Sequence, residues 1–132
     1  MANKNKKPKD QTHEDARRIV EFYLMAAIGR SVSDNNSVDY PPNFVQKHKW
    51  RKFPGHSYDI VTPDEVIEID DRDRHLHKEI MINDGIATDY AETYLVPKGF
   101  KFYRLIKEEI VDHKGRLLDP KHVAEYLQDN LF

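Results

Sequence analysis

The sequence predicts an α/β domain, and three observations lead to this prediction. Apolar residues recur at the spacing of an α-helix in three segments, at 16–28, 82–94 and 123–131. Short runs rich in β-branched and aromatic residues lie between the helical segments. The resulting order is helix, two or three strands, helix, strand and helix, which is typical of α/β proteins. The length of 132 residues suits one such core and is too short for two.

The first helix is expected to begin near Thr12 and to end at Gly29. Asp15, three residues after Thr12, favours a helix start, and glycine favours a helix end. The apolar positions between them are Ala16, Ile19, Val20, Tyr23, Leu24, Ala27 and Ile28. Residues 30–43 are polar or helix-breaking and are expected to form a loop.

The middle of the chain is expected to supply a hairpin. The segments 57–62 and 65–70 are rich in β-branched residues, and the turn sequence Pro63-Asp64 joins them. Before the hairpin, residues 44–53 combine aromatic and basic side chains and could form an edge strand.

Three elements complete the predicted domain. A helix is expected at 77–95, and the closing helix is expected to start at Pro120. Between them, residues 100–106 are apolar on both faces apart from Lys101 and Arg104, which predicts a buried strand. An arginine in such a strand more often pairs with a buried carboxylate than it takes part in catalysis.

The composition excludes several classes of protein. The chain has no cysteine, so a disulfide framework, a thiolate zinc site and a cysteine nucleophile are excluded. No stretch approaches the roughly 20 apolar residues of a membrane span, and no apolar run follows the basic start. We therefore expect a cytoplasmic protein without a membrane partner.

The charge is segregated along the chain, although the net charge is only −2. Residues 1–9 hold four lysines and residues 44–58 hold four basic residues, and neither segment contains an acid. Two basic segments on an acidic body indicate binding to a polyanion such as DNA; a solvated tail and an ordinary basic loop explain them equally well. We expect residues 1–11 to be a disordered basic arm and residues 12–132 to be a single domain.

The second basic segment supplies the candidate nucleic-acid-binding residues, which are Lys47, Lys49, Trp50, Arg51 and Lys52. Aromatic side chains among lysines and arginines could stack on unpaired bases. The same alternation also fits one buried face of an edge strand.

The predicted hairpin gathers carboxylates on one face. A loop of two or four residues around Pro63-Asp64 pairs Asp59 with Glu68, and directly opposed residues have Cβ atoms about 4.5–5.5 Å apart. Asp70, two residues beyond Glu68, points to the same face. Val61 and Val66 are expected to share that face, and the opposite face is expected to supply the core with Tyr58, Ile60, Ile67 and Ile69.

Clustered carboxylates ionise together cheaply only beside a cation. Mg²⁺ or Mn²⁺ prefers oxygen ligands, usually one or two carboxylates with waters and a substrate phosphate. The hairpin therefore suggests a metal site; the alternative is a solvated acidic edge balanced by Arg72 and Arg74.

The order of these motifs resembles the core of the PD-(D/E)XK nucleases over roughly residues 56–130. It is most similar to the branch of the very-short-patch repair endonucleases, in its E-x-D variant. The matching pieces are Tyr58-Asp59-Ile60, Val66-Ile67-Glu68-Ile69-Asp70 with His75, Lys78 with Asn83 and Asp84, and Gly99-Phe100 through Arg104-Leu105. The resemblance implies a restriction-endonuclease-like core, in which helices flank a mixed central sheet. It also implies a Mg²⁺-dependent (or Mn²⁺-dependent) endodeoxyribonuclease whose substrate is DNA.

The resemblance also implies roles for individual residues. Asp59, Glu68 and Asp70 would bind the metal, which activates a water and stabilises the phosphate in the transition state. His75 would act as general base or phosphate ligand, and Lys78 could contact the phosphate. A helical glutamate would complete the site; Glu21 or Glu14 could match.

Two departures from the motif affect these roles. The position of the motif lysine, two residues after Glu68, is Asp70, and the glycine that often follows is Asp71. His75 or Lys78 could supply the missing positive charge or the proton transfer.

Other classes of function remain compatible with the sequence. One is a non-catalytic nucleic-acid-binding module with the same fold, or a component of a DNA-processing complex. Another is a small-molecule metal hydrolase or an interaction protein. Because the chain has no evident second domain for reading a DNA sequence, a homodimer or a partner protein could supply specificity.

Overall fold

Residues 9–48, 55–73 and 76–131 are described by a computed structural model. Helices and strands are mixed, as an α/β domain requires. The helices are α1 (Lys9–Tyr23), α2 (Pro42–Lys47), α3 (Lys78–Tyr90) and α4 (Pro120–Leu131). The strands are β1 (Ser37–Asp39), β2 (Gly55–Ser57), β3 (Ile60–Val61), β4 (Glu65–Asp70) and β5 (Lys101–Ile106). Within the described residues, no helix is long and apolar enough to cross a membrane.

The first helix and its end at Gly29 confirm the sequence prediction, but α1 begins at Lys9, so residues 9–11 are helical and do not belong to the predicted disordered arm. α1 continues into a π-helical turn over Leu24–Ile28, and Gly29 ends it in the left-handed conformation with φ of 76°. The glycine N–H donates to the carbonyl of Leu24, which satisfies one of the last free carbonyls of the helix. α3 ends in a similar way, through a π-helical turn over Ala91–Leu95 and a short 3₁₀ turn.

The predicted hairpin register is confirmed. β3 and β4 are antiparallel, with Ile60 opposite Ile67 and Val61 opposite Val66. β5 lies on the other side of β4 and runs parallel to it, so the three strands form a mixed sheet in the order β3-β4-β5. β1 and β2 form a separate antiparallel pair, joined to β3 through Tyr58 and Asp59.

Apolar layers cover both faces of the central strand β4. One layer packs α1 and α4 against the face of Ile60, Ile67, Ile69 and Leu105. The other packs α2 and α3 against the face of Val66, with an aromatic cluster of Tyr40, Phe44, Tyr58 and Tyr90. The strand is therefore almost wholly buried, and polar side chains on it need partners within the protein.

Tyr58 lies in the layer opposite to the predicted one. The chain bends at Asp59, between β2 and β3, which interrupts the two-residue alternation of side chains. Tyr58 therefore packs with Val66, and its hydroxyl donates a 2.6 Å hydrogen bond to the carbonyl of Ala87 in α3.

Three further predictions need correction. The predicted loop at 30–43 contains β1. The start of the predicted edge strand at 44–53 is instead the end of α2, because prolines begin a helix that buries Phe44 in the aromatic cluster; residues 49–54 lie outside the described part of the chain. β5 is only partly buried because it lies at the edge of its sheet.

Candidate functional site

A cleft of about 500 Å³ opens near the carboxyl end of β4. Residues of α1, β2, β4 and α3 line it, so all the layers of the fold contribute. Its acidic lining residues are Glu14, Asp59, Glu68, Asp70, Asp71 and Asp84, and its histidines are His13, His56 and His77. The structure thus brings the three carboxylates predicted from the hairpin into one cleft.

Asp59 and Glu68 hold each other in place across the β3–β4 junction. The backbone N–H of Asp59 donates to Oε1 of Glu68 at 3.0 Å, and the N–H of Ile69 donates to Oδ2 of Asp59 at 2.6 Å. Because backbone donors hold both carboxylates, their positions depend on the hairpin register rather than on side-chain freedom. Hydrogen bonds to ionised groups are also stronger than neutral ones.

A histidine contacts each of these two carboxylates. Nε2 of His13, on α1, lies 3.2 Å from Oδ1 of Asp59 and 2.9 Å from the carbonyl oxygen of Ile69. The hydrogen bond with Asp59 raises the pKa of His13 from 6.5 to about 9, against the opposing effect of burial. His13 is therefore an imidazolium at neutral pH and carries positive charge into the acidic cleft.

His56, on β2, contacts the second carboxylate. Its Nε2 lies 3.0 Å from Oε2 of Glu68. Burial favours the neutral ring, but the hydrogen bond and the negative charge of Glu68 outweigh burial and raise the pKa of His56. Glu68 is only 4% exposed, and burial raises its pKa because burial favours the neutral carboxyl. The hydrogen bond with His56 lowers the pKa of Glu68.

Asp70 is oriented by an arginine on the neighbouring strand. Nη1 of Arg104 donates to both carboxylate oxygens of Asp70, at 2.8 and 2.9 Å. The same guanidinium reaches α3, where it donates to the carbonyl of Asp84 at 2.8 Å and to the hydroxyl of Thr88. Arg104 therefore links β4, β5 and α3 beside the cleft, which agrees with the prediction that it pairs with a carboxylate.

The carboxylate oxygens are suitable ligands for a divalent cation, since Mg²⁺ prefers hard oxygen ligands. Asp59 and Glu68 are the best placed, because they contact each other where the chain enters the hairpin and both line the cleft. Their oxygens are engaged by His13, His56 and backbone N–H groups, and no group of three or more His, Asp or Glu side chains among the described residues is arranged to hold a metal ion. A cation at this site would take over contacts that the histidines make in this structure.

The helical glutamates lie at different distances from the cleft. Glu14 lines it, whereas Glu21 lies two turns further along α1, outside the lining that the structure describes. Both pair with Arg17, and the hydrogen bond from Arg17 lowers the pKa of Glu14.

Of the remaining predicted residues, the two that the structure describes, Lys47 and Lys78, do not line the cleft. Lys78 is exposed at the start of α3, and Lys47 donates to Asp89 at 2.9 Å on another part of the surface. His75 lies outside the described residues. So do Lys49, Trp50, Arg51 and Lys52.

His13 and His56 were missed by reasoning from the sequence. His13 stands 56 residues before its partner Ile69, and no local spacing connects them. His56 precedes the bend at Asp59, where an extrapolated strand alternation no longer applies. Their contacts with the site can be recognised only once the fold places α1 and β2 beside β4.

Comparison of the chain with protein-family models, with curated proteins and with solved structures finds no match.

Proposed function

We propose that the protein is a Mg²⁺- or Mn²⁺-dependent endonuclease that hydrolyses DNA phosphodiester bonds. One observation carries the proposal: Asp59, immediately before β3, meets Glu68 of the antiparallel strand β4 in a cleft that three histidines also line. Paired carboxylates with adjacent cationic groups are the arrangement that metal-assisted phosphoryl chemistry requires.

The arrangement of elements supports a restriction-endonuclease-like core. α1 precedes the β3–β4 hairpin, α3 connects β4 to the parallel strand β5, and α4 closes the chain. This is the order of elements that the motif resemblance implies, with the acidic residues at the junction of β3 and β4.

Each side chain of the site has a separate role in this proposal. Asp59 and Glu68 would hold the cation, which would supply an activated water and neutralise developing negative charge. His13 lies beside Asp59 in the cleft and would contact the phosphate, and Arg104 keeps Asp70 oriented toward the cleft. His56 holds Glu68 in this structure through its Nε2 contact, which the cation would replace.

A second candidate is a non-catalytic nucleic-acid-binding module, alone or in a DNA-processing complex. The observation that favours it is that protein donors already engage Asp59, Glu68 and Asp70. In that case the pairs between histidine and carboxylate are structural, and adding a metal changes nothing.

The deciding experiment is cleavage of plasmid, single-stranded and branched DNA with Mg²⁺ or Mn²⁺, by the original protein and by Glu68→Gln. Glu68→Gln keeps the shape of the side chain but removes the charge that holds the cation, so we expect cleavage to fall by roughly 100-fold or more, since metal-centred charge stabilisation is worth several kcal/mol. Asp59→Asn should behave in the same way.

Glu125→Gln is the matched control, because Glu125 is exposed on α4, away from the cleft. It should cleave as the original protein does, and circular dichroism should show that all variants are folded. Undiminished cleavage by Glu68→Gln would refute the metal mechanism. DNA binding without cleavage of any substrate would favour the binding module.

A further inference from the structure

A second cleft, of about 380 Å³, adjoins the candidate site. Asp70 and Asp71 line both clefts and thus form the wall between them. Arg104 engages Asp70, and Nζ of the buried Lys107 lies 3.0 Å from Asp71, so cations balance the acidic wall. The lining of the second cleft holds two carboxylates and two arginines, whereas that of the first holds six carboxylates.

The second cleft exposes apolar side chains beside an arginine. Met81, at the start of α3, is 43% exposed and Ile106, at the end of β5, is 36% exposed, and both line this cleft. Arg72 also lines it, with a side chain that is 58% exposed and lies 3.1 Å from a carboxylate oxygen of Glu109. Exposed apolar groups next to a polar cleft are typical of a binding surface rather than of a core.

The neighbouring residue of α3 faces the first cleft. Ile80 lines that cleft and is 47% exposed, while Met81 lines the second. The first turn of α3 thus presents one apolar side chain to each cleft, on either side of the acidic wall. A ligand in the second cleft would meet apolar side chains and two arginines, and a nucleic-acid strand offers both apolar base faces and negative phosphates.

We propose that the second cleft holds the nucleoside next to the phosphodiester that lies in the first cleft. The base lies against Met81 and Ile106, and the guanidinium of Arg72 contacts the adjoining phosphate. The placement of the scissile bond rests on the proposed function, whereas the binding of a base rests on the exposed apolar and basic groups alone. The site is insensitive to base identity, because every base offers an apolar face.

The test measures affinity separately from hydrolysis. Binding of a fluorescent single-stranded oligonucleotide of about twelve residues is followed by anisotropy in EDTA, which prevents metal-dependent cleavage. We expect Met81→Ala to weaken binding about fivefold, and Met81→Leu to retain it, since a partly buried apolar side chain contributes about 1 kcal/mol. Leu117→Ala is the control, because Leu117 is similarly exposed, at 46%, outside both linings.

A second oligonucleotide with abasic sites identifies the contact. It should bind the original protein and Met81→Ala with equal affinity, because the group that Met81 contacts is missing. Equal binding of the ordinary oligonucleotide to Met81→Ala and Leu117→Ala would overturn the proposal, as would absence of binding by the original protein. A Met81 effect without any cleavage in Mg²⁺ would uphold the base site and reject the proposed hydrolysis, whereas cleavage without a Met81 effect would do the reverse.

Discussion

His13 connects the first helix with the carboxyl end of β4, and its charge couples the stability of the protein to pH. Its pKa is about 9 in the folded protein and 6.5 in the absence of its partners. A raised pKa means that the folded state binds the proton more tightly than the unfolded state does. The stabilisation is therefore fully present below pH 6.5 and is lost as the pH rises through about 9.

We predict that the free energy of unfolding, measured with urea in EDTA, decreases between these two pH values, and that His13→Gln decreases less. The raised pKa of His56 adds a smaller part of the same sign, which the variant keeps. His122→Gln, at an exposed histidine of α4, should retain the dependence of the original protein. An equal decrease in His13→Gln would show that the contact with Asp59 does not stabilise the fold.

Arg104 and Lys107 have structural roles beside the cleft. Each reaches an aspartate beside the cleft, and each also contacts a hydroxyl on a helix, Thr88 for Arg104 and Thr12 for Lys107. Lys107 is only 7% exposed, so its charge needs the carboxylate of Asp71 at 3.0 Å. These two cations keep the acidic end of β4 compatible with a buried strand.

Two glycines of the helical segments have different backbone conformations. Gly29 ends α1 at a positive φ and has no atom within 4 Å of an added Cβ, so a side chain there meets a conformational penalty but no clash. Gly85 lies inside α3, and a Cβ there also has open space. Replacing each glycine with alanine should therefore change the free energy of unfolding in opposite directions.

Gly29→Ala should lower the free energy of unfolding by about 1 kcal/mol, because alanine disfavours the left-handed conformation. Gly85→Ala should raise it by up to about 1 kcal/mol, because alanine favours a helix interior. Chemical denaturation of the two variants measures both changes. Effects of the same sign would mean that α1 does not need the left-handed ending.

Acidic and basic residues occupy different parts of the molecule. The described lining of the candidate site has six carboxylates, whereas residues 1–9 and 44–58 hold eight of the 21 basic residues of the sequence and no acidic residue. Of these, 1–8 and 49–54 lie outside the described residues. If the protein binds nucleic acid, these two segments supply much of the positive charge that phosphates require.

Deletion of residues 1–8 removes three lysines and should make DNA binding less sensitive to salt. The slope of log affinity against log salt concentration should decrease in magnitude by up to about 2–3, because each neutralised phosphate contributes roughly 0.7–0.9. Replacing the three lysines with glutamine, at constant chain length, should give the same change. An unchanged slope in both variants would show that the arm does not contact the phosphates.

Local patterns determined much of the fold in advance. The spacing of apolar residues predicted α1, α3 and α4, and the turn at Pro63-Asp64 predicted the β3–β4 register and hence the meeting of Asp59 with Glu68. These features depend on residues close in the chain, where helix periodicity and hairpin geometry leave few alternatives. The sequence also identified Arg104 as the partner of a carboxylate.

Only the tertiary structure decided what surrounds those carboxylates. Arg104 binds Asp70 across 34 residues, and His13 reaches β4 across 56, so both contacts depend on how helices and strands pack. The bend at Asp59 sent Tyr58 to the layer opposite to the predicted one, which no two-residue alternation could show. The sequence by itself thus determined that an acidic hairpin would form. Packing decided that histidines and an arginine would neutralise it, because the cost of burying charge is settled by whichever partners the fold brings within reach.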